Sequence, residues 1–100
     1  MELDKTYIAK LRAQEPETVA DFLVRCSLIF AEPKRWVHVP FFWNQREDVI
    51  QSALVILLTA IREGKLPQSS KGIHNLINKT FWDLVRWRIY RTRFSALQAA

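Results

Sequence analysis

A chain of 100 residues, 49% hydrophobic and 25% charged, has the size and composition of one small globular domain. Two glycines and four prolines are too few for the tight turns of an all-β domain, so the composition predicts an all-α fold, a bundle of three to four helices. One cysteine excludes an internal disulfide, and without a secretory pattern or a long apolar run we expect a cytoplasmic protein that binds no membrane.

The net charge of +5 is concentrated in the last third of the chain. Residues 1–64 hold eight Lys/Arg and nine Asp/Glu, whereas residues 65–100 hold seven Lys/Arg and one acid, Asp83. This asymmetry favours a polyanionic partner, with nucleic acid ahead of a membrane surface. The alternative is a solvated basic helix end.

Two helices are predicted first, over Asp4–Ala13 and from Pro16 onward, because Pro suits a first helical turn. The second helix has apolar residues at the spacing of a buried face, and Cys26 lies among them, so we expect a core thiol. The following segment, Pro33–Trp43, is rich in aromatic residues. It is either a plug packed on the core or an exposed contact loop, and a short strand over Trp36–Val39 is also open.

The third helix is predicted to start at Asn44, which forms a capping-box pattern with Glu47, and to end at Gly64. It is apolar nearly all round, which indicates the central helix of the bundle. Its polar residues cluster at its start: Glu47, Asp48, Gln51 and Ser52.

The fourth predicted helix, Gly72–Phe94, is long and basic. One side has the apolar residues Ile73, Ile77, Thr80, Phe81 and Leu84; the other has Asn75, Lys79, Trp82, Arg86, Ile89 and Arg93. Arg88 and Arg91 follow on the apolar side, so we expect the helix to project past the core. Cations, an amide and a tryptophan on one face suit a phosphate backbone and a stacked base. The alternative is a half-buried Trp82 beside solvated arginines.

The residues with catalytic potential are few. Two histidines and one cysteine make a structural zinc site implausible, and the chain has no Gly-rich phosphate loop or hydrolase motif. We therefore expect no enzyme activity and no cofactor.

Three segments, in order, resemble bacterial sigma factors, particularly the extracytoplasmic-function type. Glu47–Leu54 resembles the family's Glu-Asp-(apolar)-(apolar)-Gln run, which opens a central helix. Ile73–Arg86 is similar to the helix that binds and melts the −10 promoter element, and Ala9–Leu23 is similar to the opening pair of short helices. Ser52 stands where the family usually has an acid, and Gly72 or Ile73 where it often has an aromatic residue.

The resemblance implies a −10-binding domain with two partners, core RNA polymerase and promoter DNA. The coiled coil of the polymerase β′ subunit would contact Glu47, Asp48, Gln51 and Ser52. The non-template strand of the −10 element would have a flipped base held by Ser69, Ser70, His74 and Asn75. The remaining candidates for DNA contact are Lys65, Lys71, Lys79, Trp82, Arg86, Arg88 and Arg93.

The chain ends at Ala100, before the domain that reads the −35 element in these factors. An isolated domain, or a factor that obtains upstream specificity from an anti-sigma or another protein, would account for this. Two other functions stay open. One is a helical adaptor that docks through the Trp36–Trp43 aromatics, and the other is a nonspecific nucleic-acid binder whose affinity falls steeply with salt.

Overall fold

The computed structural model describes residues 2–99, with the side chains of 40, 41 and 90–99 outside the description. All of the regular elements over this range are helical. The α-helices are α1 (Lys5–Arg12), α2 (Pro16–Phe30), α3 (Pro33–Trp36), α4 (Arg46–Arg62) and α5 (Ser70–Ala99); a 3₁₀ helix (Pro40–Gln45) precedes α4. The predicted all-α class is confirmed, but three to four helices is too few, because Pro33–Trp36 forms an additional short α-helix. No helix of the described residues is long and apolar enough to cross a membrane.

The first two helices form where the sequence predicts them. Asp4 caps α1 by accepting a hydrogen bond from the Tyr7 backbone N–H at 2.7 Å, and Pro16 begins α2. The turn between them passes through Gln14, whose φ of 60° lies in the left-handed region. The Tyr7 hydroxyl donates to Asp21 at 2.8 Å and so joins the two helices.

Helix α4 is the central helix, as expected, and packs against α2, α5 and the 3₁₀ helix. The capping box predicted at Asn44 is wrong. The 3₁₀ helix runs directly into α4, so Asn44 lies inside a helical turn, and Gln45 occupies the cap position without a side-chain hydrogen bond. The end of α4 is confirmed, since Gly64 has a φ of 69° and the Lys65 N–H donates to the Ala60 carbonyl.

The aromatic segment between α2 and α4 packs largely into the core. Trp36, Val39 and Phe42 are buried, and the Trp36 indole N–H donates to the Phe30 carbonyl at 2.7 Å. The predicted plug is thus confirmed, although Trp43 remains 40% exposed. A strand over Trp36–Val39 is wrong, because Trp36 ends α3.

Helix α5 buries the side that the sequence predicts. Ile73, Ile77, Thr80 and Phe81 are buried, and Leu84 is half-buried against the core. The buried part of α5 extends beyond Leu84, because Val85 is only 1% exposed and Ile89 packs on the core. The Arg91 side chain lies outside the described residues, so the expectation that α5 projects past the core stays a prediction. The buried face of α2 also follows prediction, and it includes the fully buried Cys26, a core thiol whose pKa burial raises to about 12.

Candidate docking groove and nucleic-acid interface

An open groove of about 560 Å³ lies where the first half of α4 faces α5. Its lining residues are Asp48, Gln51, Ser52, Val55, Ile56 and Arg88. Three of the four residues that the sequence predicts for polymerase binding therefore meet in one concave surface. Glu47 is exposed at the start of the same helix but does not line the groove.

Two apolar side chains give this groove the character of a protein-docking surface. Val55 is 63% exposed and Ile56 is 43% exposed, beside the polar groups at the start of α4. Water-exposed apolar area next to hydrogen-bonding groups is what a partner protein can bury. Sequence reasoning missed both residues because an almost wholly apolar helix does not reveal which of its sides stays in contact with water.

Arg88 belongs to this groove rather than to the exposed basic face of α5. Its Nη1 donates to the Gln45 Oε1 at 2.9 Å, which links α5 to the turn that begins α4. Arg86 precedes it by two residues, and two residues in a helix are separated by about 200° around the axis. The sequence predicts both arginines for DNA, and the fold directs them to different surfaces.

The other exposed side of α5 holds the predicted polar stripe. Asn75, Lys79 and Arg86 are all exposed, and Trp82 between them is half-buried. The Trp82 ring meets Phe81 edge-to-face, with ring centroids 4.9 Å apart, so the indole is supported from the core side. The Arg93 side chain lies outside the described residues. Sequence reasoning did not single out Trp87, which is 56% exposed on the same helix.

The loop before α5 brings the four predicted base-pocket residues to one helix start. The Ser69 hydroxyl accepts a hydrogen bond from the Gly72 N–H at 3.0 Å, so it caps α5. Ser70 Oγ lies 3.4 Å from His74 Nδ1, both residues are half-buried, and Asn75 is exposed beside them. These hydroxyl, imidazole and amide groups can both donate and accept hydrogen bonds, as a base edge requires.

The two lysines of this loop, Lys65 and Lys71, are exposed. Lys65 forms an ion pair with Glu63 at 3.0 Å, whereas Lys71 stands in the first turn of α5. The loop is fixed from beneath by the buried Leu66, whose carbonyl accepts a hydrogen bond from Arg12 at 2.9 Å.

Close packing explains the glycine near the start of α5. A Cβ on Gly72 would lie 2.8 Å from the Pro67 Cβ and 3.0 Å from the Ser69 hydroxyl. The Pro67 ring therefore packs against the bare Gly72 backbone.

Arg35 is a further candidate that the sequence did not single out. Its Nη1 donates to the Asn78 Oδ1 at 3.0 Å and its Nε to the Ile29 carbonyl at 3.3 Å. The guanidinium lies over the Phe81 ring at 5.1 Å and over the Phe30 ring at 5.9 Å. Burial lowers the pKa of this guanidinium, and the nearby Glu32 carboxylate partly opposes that effect.

No group of three or more His, Cys, Asp or Glu side chains among the described residues could hold a metal ion. Around α5, the described surface has a groove with polar and apolar groups on one side of the helix and a basic face on the other. In comparisons with known proteins, no family model, curated protein or solved structure matches this chain.

Proposed function

We propose that this chain is a −10-binding domain of a bacterial sigma factor. In this proposal it binds the coiled coil of the RNA polymerase β′ subunit and holds the non-template strand of the −10 promoter element. It catalyses no reaction and acts in the bacterial cytoplasm. The single observation that carries the proposal is the convergence of Asp48, Gln51 and Ser52 on one groove with the exposed Val55 and Ile56.

The chemistry of the groove suits a helical partner with basic and amide side chains. Exposed Asp48 and Gln51 can accept charge-assisted hydrogen bonds from arginine and glutamine side chains. Val55 and Ile56 would supply the apolar area that such an interface buries at its centre. Arg88 would face an acidic group of the partner, with Gln45 holding the guanidinium in place.

The DNA strand would bind to the opposite, exposed side of α5. Lys79 and Arg86 would neutralise phosphates on this side. A base flipped out of the stack would cross the start of α5, where Asn75 meets it from this side and Ser70 and His74 from further round the helix. The half-buried Trp82 would offer the open part of its ring for stacking. A long basic helix that continues the phosphate contacts through Arg93 is part of this proposal.

Burial argues against the adaptor alternative. A docking surface needs accessible side chains, and Trp36, Val39 and Phe42 are all buried. Only Trp43 of the described aromatic side chains in this segment is exposed, and Arg46 covers one face of its ring at 4.2 Å. A nonspecific nucleic-acid binder would use the basic face of α5 but would not need the groove.

The test is capture of bacterial core RNA polymerase by the tagged chain. The decisive variant is Asp48→Ala/Gln51→Ala, and the matched control is Glu17→Ala/Gln68→Ala, which removes an exposed acid and an exposed amide outside the groove. Circular dichroism of all three chains establishes that they remain folded.

Capture by the original chain and the control, with at least a tenfold loss in the groove variant, is the expected result. No capture by a folded original chain would reject the sigma-factor function. Equal capture by all three chains would leave polymerase binding but reject the groove as its site.

A further inference from the structure

Arg35 is a cation held in one position by neutral groups. The Asn78 side-chain oxygen accepts a hydrogen bond from Nη1, and the Ile29 carbonyl accepts one from Nε. The rings of Phe30 and Phe81 lie against the guanidinium. These contacts fix the orientation of the side chain before any ligand arrives, so less conformational entropy is lost when a ligand binds.

Among the described residues, no carboxylate forms an ion pair with the Arg35 guanidinium. The ion pairs within the described part of the chain are Arg25–Asp21 and Lys65–Glu63. The Glu32 carboxylate acts on Arg35 electrostatically but forms no ion pair with it. A partly desolvated cation without a carboxylate partner is electrostatically complementary to an incoming anion.

One nitrogen of Arg35 remains available for that anion. Nε and Nη1 make the hydrogen bonds described above, and Nη2 makes none within the described residues. Since no buried side-chain nitrogen or oxygen there lacks a partner, Nη2 must be accessible to solvent. It can therefore donate to an external acceptor without breaking an internal contact.

Arg35 lies beside the exposed polar stripe of α5. Its partner Asn78 precedes Trp82 by four residues and follows Asn75 by three, and residues at these spacings are neighbours on a helix surface. The exposed Lys79 follows Asn78 directly. A strand that runs along this stripe thus passes the end of the Arg35 side chain.

We propose that Arg35 binds a backbone phosphate of single-stranded nucleic acid lying along α5, with Nη2 as the donor and Asn78 as the positioning residue. This contact rests on the proposed function for the identity of the strand, but it recognises phosphate alone. It gives the segment between α2 and α4, which the resemblance leaves without a role, a part in the nucleic-acid interface.

The test is the affinity of the full chain for a fluorescent single-stranded oligonucleotide, measured by anisotropy over a range of salt concentrations. Arg35→Gln removes the charge, and Asn78→Asp places a carboxylate 3.0 Å from Nη1 so that the guanidinium is neutralised in place. Asn44→Asp, at an exposed site in the 3₁₀ helix, is the control for the same change in net charge.

Each of the two interface variants should weaken binding by about tenfold and reduce the salt slope by about 0.7. Asn44→Asp should do neither. If Asn78→Asp acts through Arg35, its effect should vanish when Arg35 is replaced by the uncharged Gln, or by the uncharged Met if Arg35→Gln does not fold. A merely structural Arg35 would change the melting temperature but not the salt slope.

An unchanged affinity and slope in folded Arg35→Gln would overturn the proposal. An equal effect of Asn78→Asp in the original chain and in the Arg35 variant would also overturn it, because that result would indicate general repulsion between the new carboxylate and the nucleic acid. Failure of the original chain to bind any single strand would also overturn it. If the Arg35–phosphate contact is rejected in this way while the chain still captures RNA polymerase, the proposed function is unaffected.

Discussion

Truncation of two tryptophans seven residues apart should have very different effects on stability. Trp36 is 2% exposed, meets Phe81 edge-to-face at 5.1 Å, and donates a 2.7 Å hydrogen bond to a backbone carbonyl. A buried aromatic truncated to Ala costs about 3–5 kcal/mol, and the carbonyl left without its donor adds about 1 kcal/mol. Trp36→Ala should therefore lower the free energy of unfolding by about 5 kcal/mol.

Trp43 is the matched comparison, because the side chain is the same but 40% of it is exposed. Its loss removes partial burial and the contact with Arg46, which together contribute about 1 kcal/mol. Urea unfolding followed by far-UV circular dichroism gives both values. Because domains of this size have only about 5–15 kcal/mol of stability, Trp36→Phe provides a milder variant should Trp36→Ala not fold.

A difference of about 4 kcal/mol corresponds to about 20 °C in melting temperature for a domain of this length. Similar small losses for both alanine variants would refute the argument that the aromatic segment is a core plug. That result would mean that the aromatic side chains between α2 and α4 are accessible, and it would favour the adaptor that docks through Trp36–Trp43.

The remaining predictions concern pH, DNA and packing. Burial raises the pKa of both the Cys26 thiol and the Tyr7 phenol, so these groups lose their protons at a lower pH in the unfolded chain than in the folded one. The free energy of unfolding should therefore stay constant up to about pH 9 and fall as the pH rises further. The fall should be less steep in Cys26→Ala. Arg86→Ala should weaken binding to every single-stranded sequence and reduce the salt slope by about 0.7 in anisotropy titrations; an effect confined to one sequence would contradict the phosphate role. Gly72→Ala should lower the melting temperature despite a helix-propensity gain of about 1 kcal/mol, because its Cβ would press on Pro67; a higher melting temperature would show that the loop yields.

Local sequence signals predict the elements whose ends depend on neighbouring residues alone. Asp4 caps α1, Pro16 begins α2 and Gly64 follows α4, because each of these positions depends on backbone chemistry within one turn. Asn44 shows the limit of such signals. Asn44 and Glu47 have the spacing of a capping box, but the residues before Asn44 are helical as well. A capping residue needs an extended backbone, so the pattern does not form a cap here.

The candidate site is predictable only in part, because it depends on which helix sides meet. The polar start of α4 and the stripe of α5 follow from spacing, and both are exposed as expected at Asp48, Gln51, Asn75 and Lys79. The position of Arg88 in the groove could not be predicted, since it depends on the packing of α5 against the turn that begins α4.

Arg35 could not be predicted for a related reason. Its environment is made by residues of two helices far apart in the sequence, Phe30 of α2 and Asn78 and Phe81 of α5. Nothing in the sequence around Pro33 indicates that this arginine, rather than the neighbouring Lys34, is the one held against the core.

The proposal that the groove binds RNA polymerase is tested most directly by NMR. The isotopically labelled chain is titrated with the isolated coiled coil of the β′ subunit. We expect the largest backbone amide shifts at Asp48, Gln51, Ser52 and Val55, with a smaller set near Arg88 across the groove. Absence of shifts at saturating coiled coil, or shifts confined to the surface around Trp43, would contradict the assignment of this groove to RNA polymerase.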